Sequence, residues 1–494
     1  MSAIPAYSRF FRPLRLLPAL GLLWLGGCKV LEPTPPRAGA ALPASYGAAA
    51  PADSATVAAR PWREFFADPA LVGLIDTALQ RNYDLRMAVQ RVEQARSQLL
   101  SARGALLPTV SGAAAAGADR WGDYTLNGVG NYDTNLSPNI EGRQRIPTPV
   151  TPDYFLGLRS SWEIDLWGKL RQRRRAAAAR LLASEQGRQL VTTALVAEVG
   201  RLYYELLALD NELAVLGRNT QLQSRALEIV RVQKLGGRAT ELAVQQFTAQ
   251  LRRTQGLEFQ ARQRVVQTEN QLNQLLGRYP QRVARGAGIR EQSLPDSVAA
   301  GVPAQLLLRR PDIRRAELEL AATHADVSAA RAAFLPSLTI TPYVGLNAYR
   351  ASVLFQPESI AFGVLAGLTA PVFNRSQLKA EYGRATAADQ EALLAYQKTL
   401  QTGFVEVHTN LRGLANYRRA YARKQEETAA LNRAVAVAND LYLTGYASYL
   451  EVITAQRGAL DAELEATNLR KEQFLQLIEL YRALGGGWEP TPAG

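Results

Sequence analysis

Few residues of this sequence could carry out chemistry. The two histidines, His324 and His408, lie in helical stretches without a second ligand that could complete a metal site, so we expect them on helix surfaces or in helix packing. The single cysteine, Cys28, excludes a disulfide within the chain. No glycine-rich phosphate loop, carboxylate pair or Ser-His-Asp arrangement can be argued from spacing. The sequence therefore predicts a protein that is not an enzyme and that uses no metal or cofactor.

The surroundings of Cys28 predict lipidation. Three arginines precede an apolar run over residues 16–25, and two glycines then lead to the cysteine. A basic start, an apolar stretch too short to span a bilayer and small residues before a cut are typical of a secretory signal, here residues 1–27. The ending resembles a bacterial lipobox, in which the cysteine becomes the acylated first residue. In such lipoproteins an aspartate after the cysteine favours the inner membrane, so Lys29 favours the outer membrane, with a Pro- and Ala-rich tether over residues 28–61.

The elements that could position functional residues occur twice, because the chain contains a tandem duplication. Residues 103–108 align with residues 331–336, and residues 235–244 align with residues 443–452. The first copy is longer, and its insertion falls in a stretch rich in Gly, Asn, Asp and Pro at residues 119–152, which predicts a long surface loop. We divide the chain into a first repeat (62–280), an inter-repeat linker (281–302), a second repeat (303–486) and a C-terminal tail (487–494).

Two long proline-free segments repeat apolar residues with the spacing of coiled coils. They cover residues 169–234 and 375–442. At 1.5 Å per residue, each would form a rod of about 100 Å, which is longer than a globular domain requires. Shorter helices are predicted to pack beside the rods at residues 68–103, 239–277, 303–333 and 447–484.

Between the helices the hydrophobic period falls to two. Residues 154–165 and 338–347 alternate large apolar side chains with small or polar ones. This alternation is typical of strands in a membrane barrel, although a soluble sheet with one buried face is the alternative. The neighbouring segments 107–118 and 359–373 complete two hairpins, at about 107–166 and 335–373. The sequence therefore predicts four strands per chain.

Four strands cannot close a membrane barrel. The smallest outer-membrane barrels have eight strands, and an open sheet edge in lipid would leave backbone groups without hydrogen bonds. The barrel must therefore be shared between chains, and two, three or four copies would each give an allowed strand number.

Four motifs carry a family resemblance. The stretches 162–169, 306–314, 329–338 and 484–488 resemble the lipoprotein branch of the TolC family, the OprM/NodT-like outer-membrane factors. The resemblance implies a homotrimer, mainly α with membrane β, in which a shared 12-stranded barrel in the outer membrane continues into a long periplasmic coiled-coil tunnel. It also implies a passive exit channel for small molecules such as drugs, served by a periplasmic adaptor protein and an inner-membrane transporter of the RND type.

Other functions are compatible with parts of the pattern. Type I protein secretion is the alternative within the same channel class. A periplasmic adaptor would need one helical hairpin inserted into soluble β-domains, whereas this chain has two duplicated hairpins. A structural lipoprotein would not need strands with a small and polar face. The lipobox and the motifs therefore favour efflux.

The resemblance further implies a constriction at the periplasmic helix tips. In the family a leucine and, one turn on, an aspartate ring the tunnel axis there. Leu450 matches the leucine, Tyr449 lies beside it, and Thr454 replaces the aspartate. We expect an apolar gate without an acidic ring, with Leu450 in ordinary helix packing as the alternative. Gly237 and Gly445 mark the tight turns at the tips, where the adaptor should make contact.

A cluster of basic residues follows the second predicted strand. Because it lies at the end of a barrel strand, we expect it to meet lipid phosphates, to line the tunnel entrance or to form a solvated helix face, and we expect no nucleic-acid partner. The cluster comprises Lys169, Arg171, Arg173, Arg174 and Arg175.

Overall fold

The computed structural model describes residues 43, 45–46, 60–295, 309–373 and 375–488. The predicted signal, the lipidation site Cys28 and most of the tether lie outside the described residues, as do parts of the linker and of the C-terminal tail. None of the described helices combines the length and the apolar character needed to cross a membrane.

Both repeats contain a helix, two strands, a long helix and a shorter helix in this order, and the first repeat has three further helices. The elements are α1 (Trp62–Phe65), α2 (Pro69–Arg81), α3 (Tyr83–Gly104), β1 (Thr109–Arg120), α4 (Leu126–Leu136), β2 (Val150–Ile164), α5 (Lys169–Leu235), α6 (Glu241–Leu275), α7 (Pro311–Ala332), β3 (Ser337–Ala348), β4 (Ile360–Thr369), α8 (Ser376–Thr444) and α9 (Tyr449–Ala483). The long helices α5 and α8 contain 67 and 69 residues.

The insertion in the first repeat contains a helix, whereas the sequence predicts a loop. Helix α4 begins where the Thr125 hydroxyl accepts a hydrogen bond from the N–H of Gly128 at 3.1 Å. The Asn135 side chain donates to the carbonyl of Ile146 and accepts from its N–H, both at 2.8 Å. These local side-chain bonds order a segment whose composition is that of a loop.

The helix predicted over residues 68–103 is divided into α2 and α3 at Asn82. The Asn82 side chain accepts a hydrogen bond from the N–H of Leu85 at 3.0 Å, which caps α3. Its amide nitrogen donates to the carbonyl of Leu275 at the end of α6, also at 3.0 Å. One residue therefore starts a new helix and fixes it to the first repeat's hairpin.

The four strands form one antiparallel sheet in the order β1-β2-β3-β4, so β1 and β4 are its edges. The register places Arg159 of β2 opposite Ser111 of β1 and opposite Tyr343 of β3. Tyr343 in turn lies opposite Gly363 of β4. These residues share one face of the sheet, because side chains alternate along each strand.

The main core lies where α2, α5 and α9 pack together. Tyr203 of α5 is fully buried there, among Leu71, Ile75, Leu206 and Ile478. Its hydroxyl donates to the carboxylate of Asp68 at 2.6 Å and accepts the N–H of Gly286 at 2.8 Å. This core joins the inter-repeat segment to both repeats and leaves the distal halves of the long helices projecting from it.

Candidate functional site at the helix tips

The tips of the two helical hairpins have the same backbone conformation. Gly237 follows α5 with a φ of +71°, and Gly445 follows α8 with a φ of +85°. At such angles a side chain would be strained, so glycine is favoured. The N–H of Arg238 bonds to the carbonyl of Gln233, and the N–H of Tyr446 bonds to that of Leu441, both at 2.8 Å. The predicted tight turns are thus Schellman-type helix ends.

The helix that leaves each tip is capped by a hydroxyl side chain. Thr240 accepts the N–H of Ala243 at 3.2 Å at the start of α6. Ser448 forms a capping box with Glu451 at the start of α9. The caps fix the first turn of each helix and so determine which residues face outward beside the turn.

Leu450 lies on the outer side of this first turn, together with its counterpart in the first repeat. Leu450 is 56% exposed, and Leu242 of α6 is 59% exposed. Among the described residues neither leucine belongs to a helix-packing core. The two repeats therefore offer two equivalent apolar positions at the tips, and the motif match alone selects Leu450.

Tyr449 and Thr454 occupy different sides of α9. Thr454 is exposed one turn after Leu450, so the two residues share a helix face. Tyr449 packs against the apolar cluster between the hairpins, which includes Phe247 and Val452. In this chain Tyr449 therefore supports the tip from inside and lies off the face of Leu450.

Two charged residues lie further along the same face of α9, and the family motif does not include them. Arg457 and Asp461 follow Thr454 at helical spacing, and their charged groups lie 3.9 Å apart. Arg253 of α6 approaches the same Asp461 carboxylate at 4.0 Å. A carboxylate thus stands two turns beyond Thr454, beside two guanidinium groups. Helical spacing from Leu450 is the sequence signal that could have identified these residues.

The two hairpins are joined near their tips. The Tyr442 hydroxyl of α8 donates to the side-chain oxygen of Gln233 of α5 at 2.5 Å. Desolvation raises the pKa of Tyr442, which keeps the phenol protonated and able to donate. Next to this bond is a cavity of about 300 Å³, lined in part by Phe247, Val452 and Gln223. Gln223 is 1% exposed, and its amide makes no hydrogen bond to any described residue.

The basic cluster is partly neutralised at the junction between sheet and helix. Lys169 pairs with Glu163 at 2.5 Å, and Arg171 pairs with Asp165 at 3.2 Å. Asp165 also accepts the backbone N–H groups of Leu170 and Arg171 at 3.0 and 2.9 Å. Desolvation alone would raise the pKa of Asp165, but these hydrogen bonds and the guanidinium of Arg171 lower it overall.

The two histidines lie apart from one another. His324 is exposed on α7, 3.8 Å from the carboxylate of Asp389. His408 stacks beside Phe404 with 6.4 Å between ring centroids. Within the described ranges no three His, Cys, Asp or Glu side chains are grouped as they would be around a metal ion.

Comparison with known proteins identifies the family. A family model described as outer membrane efflux protein matches residues 74–278 and 302–486. The solvent efflux pump outer membrane protein SrpC of Pseudomonas putida is 31% identical over 479 residues, covering 96% of this chain and 98% of SrpC. The pyoverdine export outer membrane protein OpmQ of Pseudomonas aeruginosa is 32% identical over 478 residues, with 96% of each chain covered.

Solved structures share the fold over nearly the whole chain. The outer-membrane channel OprN superposes with a TM-score of 0.81 at 25% identity, covering 93% of this chain and 99% of OprN. CusC superposes with a TM-score of 0.76 at 26% identity, covering 90% and 97%. These similarities confirm the predicted mainly helical fold with four strands, the outer-membrane location and the role in efflux. The chain belongs to the outer membrane efflux protein family, the TolC-like exit channels of tripartite pumps.

Proposed function

We propose that three copies of this chain form one continuous conduit, with a shared 12-stranded barrel above a tunnel of twelve helices. The observation that carries the proposal is the isolated four-stranded sheet, whose edge strands β1 and β4 have no further partner within the described residues. In lipid such edges would leave backbone groups unpaired, so neighbouring copies must supply the missing strands. The family resemblance favours three copies over two or four.

The helices α5, α6, α8 and α9 of each copy would form the tunnel wall. At 1.5 Å per residue, α5 and α8 extend for about 100 Å, enough to reach far into the periplasm. The turns at Gly237 and Gly445 would then present the contact surface for a periplasmic adaptor, which connects the channel to an inner-membrane transporter of the RND type. Acylation of Cys28 would anchor each copy to the outer membrane in addition to its strands.

The conduit would pass small molecules without consuming energy itself. The names of its relatives include a solvent efflux pump, a toluene efflux pump, a pyoverdine exporter and a cation efflux system. Such diverse substrates at similar sequence identity fit a wide passive channel, in which the transporter selects what enters. The constriction would lie at the tips, where Leu450 contributes an apolar ring and Thr454 leaves the next ring uncharged.

The assembly is tested by the mass of the purified protein in detergent. Native mass spectrometry should give a trimer that dissociates on heating, and the trimer should form channels in planar bilayers, whereas heat-dissociated monomer should not. A monodisperse monomer with native β-sheet circular dichroism would contradict the proposal. The anchor is tested separately, because Cys28→Ala behind a cleavable signal should still fractionate with the outer membrane.

A further inference from the structure

A cluster of two aromatic rings and one arginine lies on one face of the sheet. The Arg159 guanidinium carbon is 4.6 Å from the centroid of the Phe155 ring. Phe155 and Tyr343 meet edge to face, with 6.1 Å between centroids and 69° between ring planes. Phe155 is only 7% exposed, although it lies on a strand face that otherwise carries mostly small and polar residues. The cluster is therefore an ordered feature of this face.

Glycines leave the space that the two aromatic rings of the cluster occupy. A Cβ atom at Gly157 or Gly345 would lie 3.0 Å from the Phe155 ring, and one at Gly363 would lie 2.6 Å from the Tyr343 ring. A Cβ atom at Gly157 or Gly345 would also lie 2.4 or 2.6 Å from a backbone oxygen of the neighbouring strand, which is closer than real Cβ atoms come, so these positions fit glycine alone without a shift. The rings thus rest on bare backbone, which fixes their positions and leaves Arg159 free to extend along the strand over Phe155.

This face is the one that would line the barrel lumen. The opposite face of the sheet carries large exposed apolar side chains, as a lipid-facing surface requires. They are Leu156, Leu158, Val344, Phe362 and Val364. In the proposed trimer three copies of the cluster would therefore surround the water-filled axis at one depth.

Arg159 carries an uncompensated charge on this face. Its guanidinium forms no hydrogen bond or ion pair with any described residue. The carboxylates on the same face of β2 are engaged elsewhere, since Asp153 accepts from Asn347 at 2.7 Å and Glu163 pairs with Lys169 at 2.5 Å. At 3.3 Å per residue, these carboxylates are about 20 and 13 Å along the strand from Arg159. The guanidinium is thus free to bind an anion.

We propose that the Phe155, Arg159 and Tyr343 side chains form a filter inside the barrel that favours anions and binds aromatic anions in particular. The inference rests on the proposed trimeric pore. Three guanidinium groups around a water-filled lumen with low-dielectric walls raise the local concentration of anions, as rings of arginine do in anion-selective pores. A guanidinium also binds carboxylates and sulfonates through paired N–H donors, and it stacks on aromatic rings. The ligand class is therefore an aromatic carboxylate or sulfonate.

Ion selectivity tests the charge. Reversal potentials of wild-type and Arg159→Gln trimers are measured in planar bilayers across a KCl gradient. The variant should lower the chloride-to-potassium permeability ratio by about twofold or more. Arg120→Gln is the matched control, because Arg120 is on the other face at the outer end of β1 and its loss should leave the ratio unchanged.

Block by an aromatic anion tests the rings. 2-Naphthalenesulfonate should interrupt the wild-type current at about tenfold lower concentration than methanesulfonate. Tyr343→Leu should remove that difference while preserving the permeability ratio, because Tyr343 is the exposed ring of the cluster, and Arg159→Lys should keep the ratio but weaken the block. Equal block by the two sulfonates in the wild type, or an unchanged ratio in Arg159→Gln, would overturn the filter while the pore proposal stood. Protein that forms no channels would overturn both.

Discussion

The hydroxyl of Tyr442 lies 2.5 Å from the side-chain oxygen of Gln233, a residue 209 positions earlier in the chain. The bond connects the last turn of α8 with the last turn of α5, so it joins the hairpins of the two repeats directly behind their tips. Around it the apolar cluster of Val244, Phe247 and Val452 is interrupted by the cavity at Gln223. A hydrogen bond therefore supplements the apolar packing between the two hairpins directly behind their tips.

Tyr442→Phe should loosen this joint. The substitution removes one hydrogen bond, which contributes about 1 kcal/mol in proteins. We expect more frequent openings of single channels in planar bilayers, because the second-repeat hairpin is held less firmly. Tyr446→Phe is the control, since Tyr446 is largely exposed at the same tip. Equal opening frequencies in wild type and Tyr442→Phe would show that the bond does not restrain the tips.

Leu450→Ser should widen and wet the proposed constriction. Three apolar side chains on the axis resist wetting, so their replacement should raise single-channel conductance by about twofold or more. Leu242→Ser makes the same change at the equivalent position of the first repeat and should have a smaller effect. If Leu242→Ser has the larger effect, the first repeat forms the narrowest ring and the assignment of Leu450 is wrong.

Thr454→Asp should change ion selectivity at the tips. Three added carboxylates near the axis would increase potassium over chloride permeability, and the change should be larger at low ionic strength because screening is weaker. The measurement is the reversal potential at two salt concentrations. A salt-independent or absent change would place Thr454 away from the axis.

Arg310→Gln should destabilise the protein strongly. Arg310 is 4% exposed and donates to Asp312 at 2.6 Å, to Glu406 at 2.7 Å and to the carbonyl of Ala483 at 2.9 Å. Removing one partner of a buried ion pair costs about 3–5 kcal/mol, because the remaining charge is left uncompensated. The thermal midpoint of α-helical circular dichroism should fall markedly.

The control is a second arginine, Arg314, which lies in α7 one helical turn after Arg310. Arg314 pairs with Glu317 at 3.1 Å on the surface, and such exposed pairs contribute about 0–1 kcal/mol. Arg314→Gln should therefore leave the thermal midpoint nearly unchanged. Equal losses in the two variants would mean that burial of Arg310 does not determine its contribution.

Asp165→Asn should weaken the start of α5 in a pH-dependent manner. The pKa of Asp165 is lowered in the native state, so its stabilising effect is fully present above the ordinary aspartate pKa of about 4. The effect is lost as the pH falls through the lower native value. We expect Asp165→Asn to lower stability by about 0.3–1 kcal/mol at pH 7, because it removes a negative charge beside the N-terminus of α5.

Thermal melts of both proteins from pH 7 to pH 2 check this expectation. The two curves should converge at the acidic end, since protonation of Asp165 then removes the same charge from the wild type. A difference that stays constant over the whole range would indicate that the carboxylate charge is not what caps α5.

The features that depend on local periodicity can be predicted from the sequence. The coiled-coil spacing of α5 and α8 and the alternation of β2 and β3 follow from which side chains must be buried or exposed on a helix or a strand. The duplication is visible because the Gly237 and Gly445 turns need glycine at the same place in both copies. The predictions from local composition were wrong at α4 and at Asn82. At both places specific side-chain hydrogen bonds determine the local structure.

The contacts between these local features depend on how distant segments pack in the folded chain. The bond between Tyr442 and Gln233, the equivalence of Leu242 and Leu450, and the position of Phe155 under Arg159 depend on contacts between distant segments or on strand register. Alternation along β2 does not single out Phe155, because a large ring on the small-residue face is accommodated by Gly345 of another strand as well as by Gly157 of β2. A periodic pattern states which face a side chain occupies, whereas its partner is fixed by the packing of whole elements against one another.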